Sequence, residues 1–136
     1  MDAVLLDTDV FSFFFRQDSR HKLYVNDIQG REVCLSFQSV AELLRWAVER
    51  NWGDNRRRSL EQVMRRCVIL PFDATMAQHW ATIAATRKRA GTPIACGDAW
   101  IAASALSYDI PLVSHNGSHF QGIAPLKVIC HAPGFE

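Results

Sequence analysis

Three things are scarce in this sequence: net charge, closely spaced cysteines and long hydrophobic runs. The net charge of the 136 residues is only +1, so nucleic acid would have to bind through local basic patches. The four cysteines form no Cys-x-x-Cys pair, which argues against a structural zinc site. No stretch approaches the roughly 18 apolar residues of a membrane span, and the first residues do not form a secretory signal. We therefore expect a protein of the reducing cytoplasm that does not enter a membrane.

Short apolar runs alternate along the chain with segments of helical periodicity. The apolar runs predict strands at residues 3–6, 32–35, 68–70, 111–114 and 126–129. The periodic segments predict helices at residues 10–16, 20–28, 39–50, 55–66, 73–90 and 98–106. This alternation is typical of βαβ units with a largely parallel sheet. We expect one domain over residues 1–131 and a C-terminal tail over residues 132–136.

Three acidic residues stand where these predicted elements begin or end. Asp7 directly follows the first strand, at the edge where parallel sheets bind ligands. Each acid also has a purely structural interpretation. Asp7 has the position of a turn or capping residue, Glu42 completes a capping box with Ser39, and Asp98 is a first-turn acid of a helix. Asp9 has the pattern of an ordinary N-cap, and either it or Thr8 is expected to cap the helix that follows.

The joint placement of Asp7, Glu42 and Asp98 favours a metal site. Clustered carboxylates raise one another's pKa unless a cation lies between them. Mg²⁺ prefers oxygen ligands and accepts one or two protein carboxylates while it keeps several waters. One such ion, or two ions about 4 Å apart, can activate water and neutralise charge on a phosphodiester under attack. The acids therefore predict metal-dependent phosphodiester hydrolysis.

Four motifs, in this order, resemble those of the PIN-domain ribonucleases, and most closely the VapC toxins of bacterial toxin–antitoxin pairs. The motifs are Val4-Leu5-Leu6-Asp7-Thr8-Asp9, Ser39-Val40-Ala41-Glu42-Leu43, Pro93-Ile94-Ala95-Cys96-Gly97-Asp98-Ala99-Trp100-Ile101-Ala102-Ala103, and Leu112-Val113-Ser114-His115-Asn116 with His119-Phe120. They extend over nearly the whole chain. Each motif is short, but their order and spacing together make the resemblance specific.

The resemblance implies a three-layer α/β/α fold with a short-stranded, largely parallel central sheet and an acidic pocket that binds Mg²⁺ or Mn²⁺. The residues that match this pocket are Asp7, Glu42 and Asp98 as metal-site acids, with Glu42 conditional, and Thr8 and Ser114 as supporting hydroxyls. Asn116 matches the fourth acidic position of many relatives. Because its amide carries no charge, we expect one firm metal site and at most one conditional site. The resemblance also implies RNA as the substrate, a small antitoxin as a partner and a homodimer.

Several further residues are candidates for binding. Arg87 and Arg89 shortly precede the Asp98 segment and are candidates for contacts with RNA phosphates, with a solvated helix face as the alternative. His115 is a candidate for substrate contact, whereas zinc ligation by His115 and His119 is not expected in a turn. The aromatic run at residues 10–15 holds more apolar side chains than one face of a short helix can bury. It predicts a partner groove or a dimer face.

Two other functions remain open at this point. A haloacid-dehalogenase-like phosphatase would use Asp7 as its nucleophile, because Asp7-Thr8-Asp9 after an apolar strand imitates that family's motif. Its other requirements fit poorly, since Lys88 and Asp98 are badly placed and no later acidic pair exists. The second alternative is a catalytically inactive PIN-fold interaction module, against which the three retained acids argue. RNA cleavage that requires Mg²⁺ and Asp7 would separate these alternatives from a nuclease.

Overall fold

The computed structural model describes residues 2–135 and contains a five-stranded sheet in the order β3-β2-β1-β4-β5. Its strands are β1 (Ala3–Leu6), β2 (Glu32–Ser36), β3 (Val68–Leu70), β4 (Leu112–Val113) and β5 (Val128–Ile129). Each neighbouring pair is parallel. The carboxyl ends of all five strands therefore lie at one edge of the sheet. The predicted short-stranded parallel sheet is confirmed.

Six α-helices and two 3₁₀ segments connect the strands of the described chain. The helices are α1 (Thr8–Arg16), α2 (Val25–Ile28), α3 (Phe37–Glu49), α4 (Asp54–Arg65), α5 (Ala74–Arg89) and α6 (Cys96–Tyr108). The 3₁₀ segments are Ser19–Tyr24 and Gly117–Phe120. None of the helices within residues 2–135 is both long and apolar enough to cross a membrane.

Strand β1 shows why the sheet carries helices on both faces. Successive side chains of a strand point to opposite faces, and all four side chains of β1 are buried. Val4 and Leu6 pack in a core with α1, α3 and α4, whereas Ala3 and Leu5 pack in a second core with α5 and α6. A fully buried aliphatic side chain contributes about 2 kcal/mol to folding. The expected three-layer α/β/α fold is confirmed.

The structure corrects several predicted helix boundaries. Helix α3 begins at Phe37, because Ser36 is its N-cap and its hydroxyl accepts a hydrogen bond from Gln38 N at 3.2 Å. Glu42 therefore lies in the second turn, and the capping box with Ser39 is wrong. Helix α6 begins two residues before Asp98. The predicted helix 20–28 is instead a 3₁₀ segment followed by the short α2.

The aromatic run of α1 is largely covered from within the chain. Phe11 and Phe13 are buried in the core. Phe15 stacks on Trp52, with ring centroids 5.8 Å apart, and Phe14 lies against His21. The expected apolar surplus of this helix is therefore mostly buried within one chain.

Exposed large apolar side chains occur elsewhere on the surface. Five of them lie on α3, on β3 or just after β3: Leu44, Val48, Val68, Ile69 and Phe72.

The C-terminal segment packs against the loop that follows β4. The Phe135 ring lies so close to Gly117 that a Cβ atom on this glycine would be 2.5 Å from the ring. The segment predicted as a tail thus contacts the body of the fold.

Candidate acidic active site

A small cavity at the carboxyl edge of the sheet collects the acidic residues. Asp7 directly follows β1, and Asn116 follows β4 three residues after that strand ends. Helices α3 and α6 begin beside them and contribute Glu42 and Asp98. The cavity has a volume of about 50 Å³ and is lined by Asp7, Thr8, Asp9, Glu42, Asp98, Ile101, Asn116 and Phe120. The structure therefore brings together four residues for which catalytic roles were predicted.

Asp7 is the most deeply held acid of the cavity, with only 5% of its surface exposed. It is the N-cap of α1, which confirms its capping interpretation and corrects the prediction that Thr8 or Asp9 caps this helix. Its Oδ1 accepts a hydrogen bond from Val10 N at 2.9 Å. Its Oδ2 accepts a hydrogen bond from Ser114 Oγ at 2.5 Å. Burial raises the pKa of Asp7 to about 7, although these two hydrogen bonds oppose the rise. Capping and cavity lining are thus two roles of one residue.

Asp98 is more accessible and is held differently. It is the third residue of α6, whose N-cap Ala95 offers no side-chain oxygen to the free backbone amides. Its carboxylate lies 3.3 Å from His119 Nδ1, and 30% of its side chain is exposed. Burial raises the pKa of Asp98, and the neighbouring His119 acts in the opposite direction. His119 was not predicted as a partner of this acid.

Glu42 reaches the cavity because α3 and α6 approach each other at a glycine. Its Oε1 accepts a hydrogen bond from Gln38 Nε2 at 2.9 Å. A Cβ atom on Gly97 would lie 2.9 Å from that Gln38 nitrogen and 3.0 Å from Glu42 Oε1. A side chain at this position would require the ends of the Gln38 and Glu42 side chains to shift. Gly97 therefore allows Asp98 and Glu42 to line the same cavity.

Hydroxyl and amide groups form the second layer of the cavity. Thr8 Oγ1 donates to Ser39 Oγ at 2.9 Å, and both residues are buried. Ser114 Oγ accepts a hydrogen bond from Asn116 N at 3.0 Å, so one hydroxyl links Asn116 to Asp7.

Asp9 belongs to the site, although its sequence pattern resembled an ordinary N-cap. Asn116 Nδ2 donates to Asp9 Oδ2 at 2.8 Å, and Asp9 raises the pKa of both Asp7 and Asp98 through charge repulsion. The spacing of Asp7 and Asp9 at the start of a helix was the available signal. The amide partner lies 107 positions away and left no local signal.

The basic candidates and His115 lie outside the cavity. Arg87 donates through Nε to Thr92 O at 2.8 Å and through Nη1 to His119 O at 3.0 Å. It lines an adjacent cleft of about 300 Å³ that also includes Asp98 and His119. Arg89 is exposed in the last turn of α5.

The donor set of the cavity fits a hard divalent cation that keeps most of its water. The donors are carboxylate and amide oxygens, which Mg²⁺ and Mn²⁺ favour. Within residues 2–135, no three His, Cys, Asp or Glu side chains are arranged to enclose an ion directly. Mg²⁺ commonly needs only one or two protein carboxylates. Asp7 and Asp98 fit that role, and Glu42 already accepts a hydrogen bond from Gln38.

The chain is similar to one known family and to named relatives within it. The PIN domain family matches residues 4–125 of the chain. Ribonuclease VapC1 of Haemophilus influenzae strain R2866 is 28% identical over 127 residues, which cover 90% of this chain and 93% of that protein. The tRNA(fMet)-specific endonuclease VapC of Shigella flexneri is 27% identical over 126 residues, with coverage of 90% and 93%.

A solved structure shows the same fold. The VapBC-1 structure from nontypeable Haemophilus influenzae includes a chain that superposes with a TM-score of 0.75 at 26% identity. The match covers 94% of this chain and 97% of that chain. Both the relatives and the structure are matched along nearly their whole length.

Proposed function

This chain belongs to the PIN-domain family, and from that premise we propose that it is an endoribonuclease acting as the toxin of a toxin–antitoxin pair. The observation that carries the proposal is the cavity that Asp7 and Asp98 share at the carboxyl edge of the sheet. The relatives named ribonuclease and endonuclease support the reaction. A solved member of the VapBC family of toxin–antitoxin systems from Mycobacterium tuberculosis, 25% identical with a TM-score of 0.70, supports the toxin–antitoxin setting. RNA is therefore the proposed substrate.

The proposed cofactor is Mg²⁺ or Mn²⁺. Asp7 and Asp98 would hold the ion, and Glu42 would join only under some conditions. When bound, the ion would supply an activated water and neutralise charge on the phosphate. The residues prepare this chemistry themselves: Ser114 and Val10 fix both oxygens of Asp7, and Asn116 holds Asp9. Thr8, which lines the cavity, is held by its hydrogen bond to Ser39.

The cleft beside the cavity is the proposed path of the RNA strand. It shares Asp98 with the acidic cavity and also includes Arg87 and His119. Cationic groups along this path would contact phosphates, and each contact adds a salt-dependent share of affinity. Arg87 and Arg89 are the proposed contacts, although Arg87 also donates to backbone carbonyls.

We further propose that the chain binds a small antitoxin, forms a homodimer and acts in a reducing cytoplasm. The solved member of the VapBC family of toxin–antitoxin systems supports an antitoxin partner. The exposed apolar residues of α3 and β3 support a protein interface. The cysteines of the described chain are unpaired, as expected in a reducing compartment. Light scattering of the purified chain tests the homodimer, which predicts twice the mass of one chain.

Neither alternative function gains support. A haloacid-dehalogenase-like phosphatase needs a lysine near its nucleophile, and the described cavity is lined by none. The family relatives that are named by an activity are nucleases. An inactive interaction module would keep the fold without cleaving RNA. Measured RNA cleavage would therefore exclude this alternative.

The test is cleavage of total cellular RNA and of initiator transfer RNA by the purified chain. We expect cleavage with Mg²⁺ or Mn²⁺ and its loss in EDTA, with recovery when the ion is returned. Asp98→Asn should reduce the rate at least about 100-fold, because it weakens the binding of the ion that neutralises transition-state charge. The matched control is Asp54→Asn, an exposed first-turn acid of α4 that should leave the rate unchanged. Cleavage that persists in EDTA, or in Asp98→Asn, would overturn the proposal.

A further inference from the structure

A buried tyrosine lies behind the cavity and contacts the loop that carries two of its residues. Tyr24 ends the 3₁₀ segment Ser19–Tyr24 and has no exposed surface. Its hydroxyl lies 2.6 Å from His115 Nδ1 and accepts a hydrogen bond from His131 N at 3.0 Å. One hydroxyl thus links the segments that follow β4 and β5, 91 and 107 positions away.

The Tyr24 hydroxyl can act as the donor in its contact with His115. Because His131 N can only donate, Tyr24 Oη accepts from it. The hydroxyl hydrogen of Tyr24 is then available for His115 Nδ1, which lies within its reach. With His115 Nδ1 as the acceptor the ring hydrogen is carried by Nε2, and in the other tautomer Nδ1–H donates to the same hydroxyl, so the contact forms in both cases.

The position of His115 gives this contact its importance. Ser114, one residue before it, donates to Asp7, and Asn116, one residue after it, donates to Asp9. The imidazole itself packs edge-on against Phe13, with ring centroids 5.4 Å apart. It is not among the residues that line the acidic cavity.

We propose that Tyr24 and His115 are positioning residues, whose hydrogen bond holds the 114–116 loop so that Ser114 and Asn116 meet Asp7 and Asp9. This goes beyond the predicted role of His115 as a substrate contact. It rests on the proposed nuclease function, because positioning matters only if the cavity is catalytic. The carboxylates themselves belong to β1, α1, α3 and α6, so the loop contact acts on them only through Ser114 and Asn116.

The experiment separates the two ring nitrogens of His115. Asparagine places an amide atom near the position of Nδ1, whereas glutamine places one near Nε2. We expect His115→Asn to keep most of the RNA cleavage rate, because its Oδ1 can accept from Tyr24. His115→Gln, His115→Phe and Tyr24→Phe should each lower kcat by about fivefold to tenfold, the fold-change expected for one lost hydrogen bond, with little change in KM. Thermal unfolding checks that each variant is folded.

A matched control and a second measurement complete the test. The matched control is Tyr108→Phe, which removes the hydroxyl of an exposed tyrosine at the end of α6, so kcat should not change. The side-chain amide signal of Asn116 in an NMR spectrum, assigned by its loss in Asn116→Asp, should shift in Tyr24→Phe and stay in place in His115→Asn. That signal reports positioning even if the wild type cleaves no RNA, in which case the proposed function fails and the positioning role is judged alone.

Two results would overturn the positioning role. The first is full cleavage with an unshifted Asn116 signal in Tyr24→Phe. The second is retained cleavage in His115→Gln together with loss in His115→Asn, which would assign His115 to substrate contact through Nε2.

Discussion

Helices α1 and α6 each bring an aspartate to the same cavity, but they hold it in opposite ways. Asp7 caps its helix, is almost fully buried, and has a hydrogen-bond donor on each oxygen. Asp98 lies inside the first turn of a helix without a side-chain cap, and its carboxylate lies beside the exposed His119. If the proposed ion binds here, the first acid is already held in place by its hydrogen bonds, whereas the second can adjust to the ion.

The two acids show what burial and exposure each cost in an acidic site. Holding Asp7 buried costs stability, because burial favours its neutral form at the pH where the site must be charged. Leaving Asp98 accessible avoids most of that cost but relies on neighbouring groups to orient the carboxylate. In the proposed metal site, the buried acid would define the position of the ion and the accessible acid would leave room for its waters.

The largest expected effect is on cleavage when Asp7 is changed. Asp7→Asn keeps the cap for Val10 N but removes the negative charge, so we expect the RNA cleavage rate to fall at least about 100-fold. Asp73 is the matched control, since it caps α5 through Met76 N at 2.8 Å in the same way but lies outside the cavity. Asp73→Asn should cleave RNA at the wild-type rate. Equal losses in both variants would mean that Asp7 acts only as a cap.

The second effect is on stability and its dependence on pH. The pKa of Asp7 is about 7 in the fold and 3.8 in a free side chain, so the folded protein binds a proton that the unfolded chain has released. Stability from this group is therefore complete below about pH 4 and is lost as the pH rises to about 7. In EDTA at pH 8, Asp7→Asn should raise the free energy of unfolding by on the order of 2 kcal/mol. Urea unfolding at pH 5 and pH 8 measures this.

The accessible acid provides the comparison for that experiment. Asp98→Asn should stabilise the protein much less at pH 8, because its carboxylate remains partly in water. If the two variants were equally stable at both pH values, burial would not distinguish the two acids.

A third, smaller effect tests the approach of α3 and α6. Gly97→Ala places a Cβ atom about 3 Å from Gln38 and Glu42, and the ends of both side chains must shift. We expect cleavage to fall about tenfold, as a displacement of site residues does, with a loss of stability below about 1 kcal/mol. Gly53→Ala is the control, since a Cβ atom there meets nothing. Wild-type cleavage by Gly97→Ala would show that Glu42 does not need its present position.

The smallest expected effect concerns His119. Because it orients only the accessible acid, His119→Ala should reduce cleavage about threefold, the value of a weak, largely exposed ion pair. His79→Ala on α5 is the control, since this half-buried histidine does not line the cavity. A loss as large as that of Asp98→Asn would instead place His119 in direct contact with the reacting RNA.

Predictions from the sequence were best where the signal was local. The apolar run before Asp7 defines a buried strand by its own composition, and the structure has that strand at Ala3–Leu6. The start of α3 was less predictable, because Ser36 and Ser39 are both good capping residues. The pairing of Ser36 with β3 decides the choice, since it keeps Ser36 in the sheet until the helix begins.

The sequence by itself determined the parallel sheet, its two apolar faces and the strand end at which Asp7 lies, because alternation and short apolar runs depend only on neighbouring residues. Only the tertiary structure decided that Asn116 meets Asp9, that His119 meets Asp98 and that Tyr24 meets His115. These pairs join segments up to 107 positions apart, and hydrogen bonds of this kind form only after packing has brought the chain segments together. The acids of the cavity were therefore visible in the sequence, whereas the groups that orient them were not.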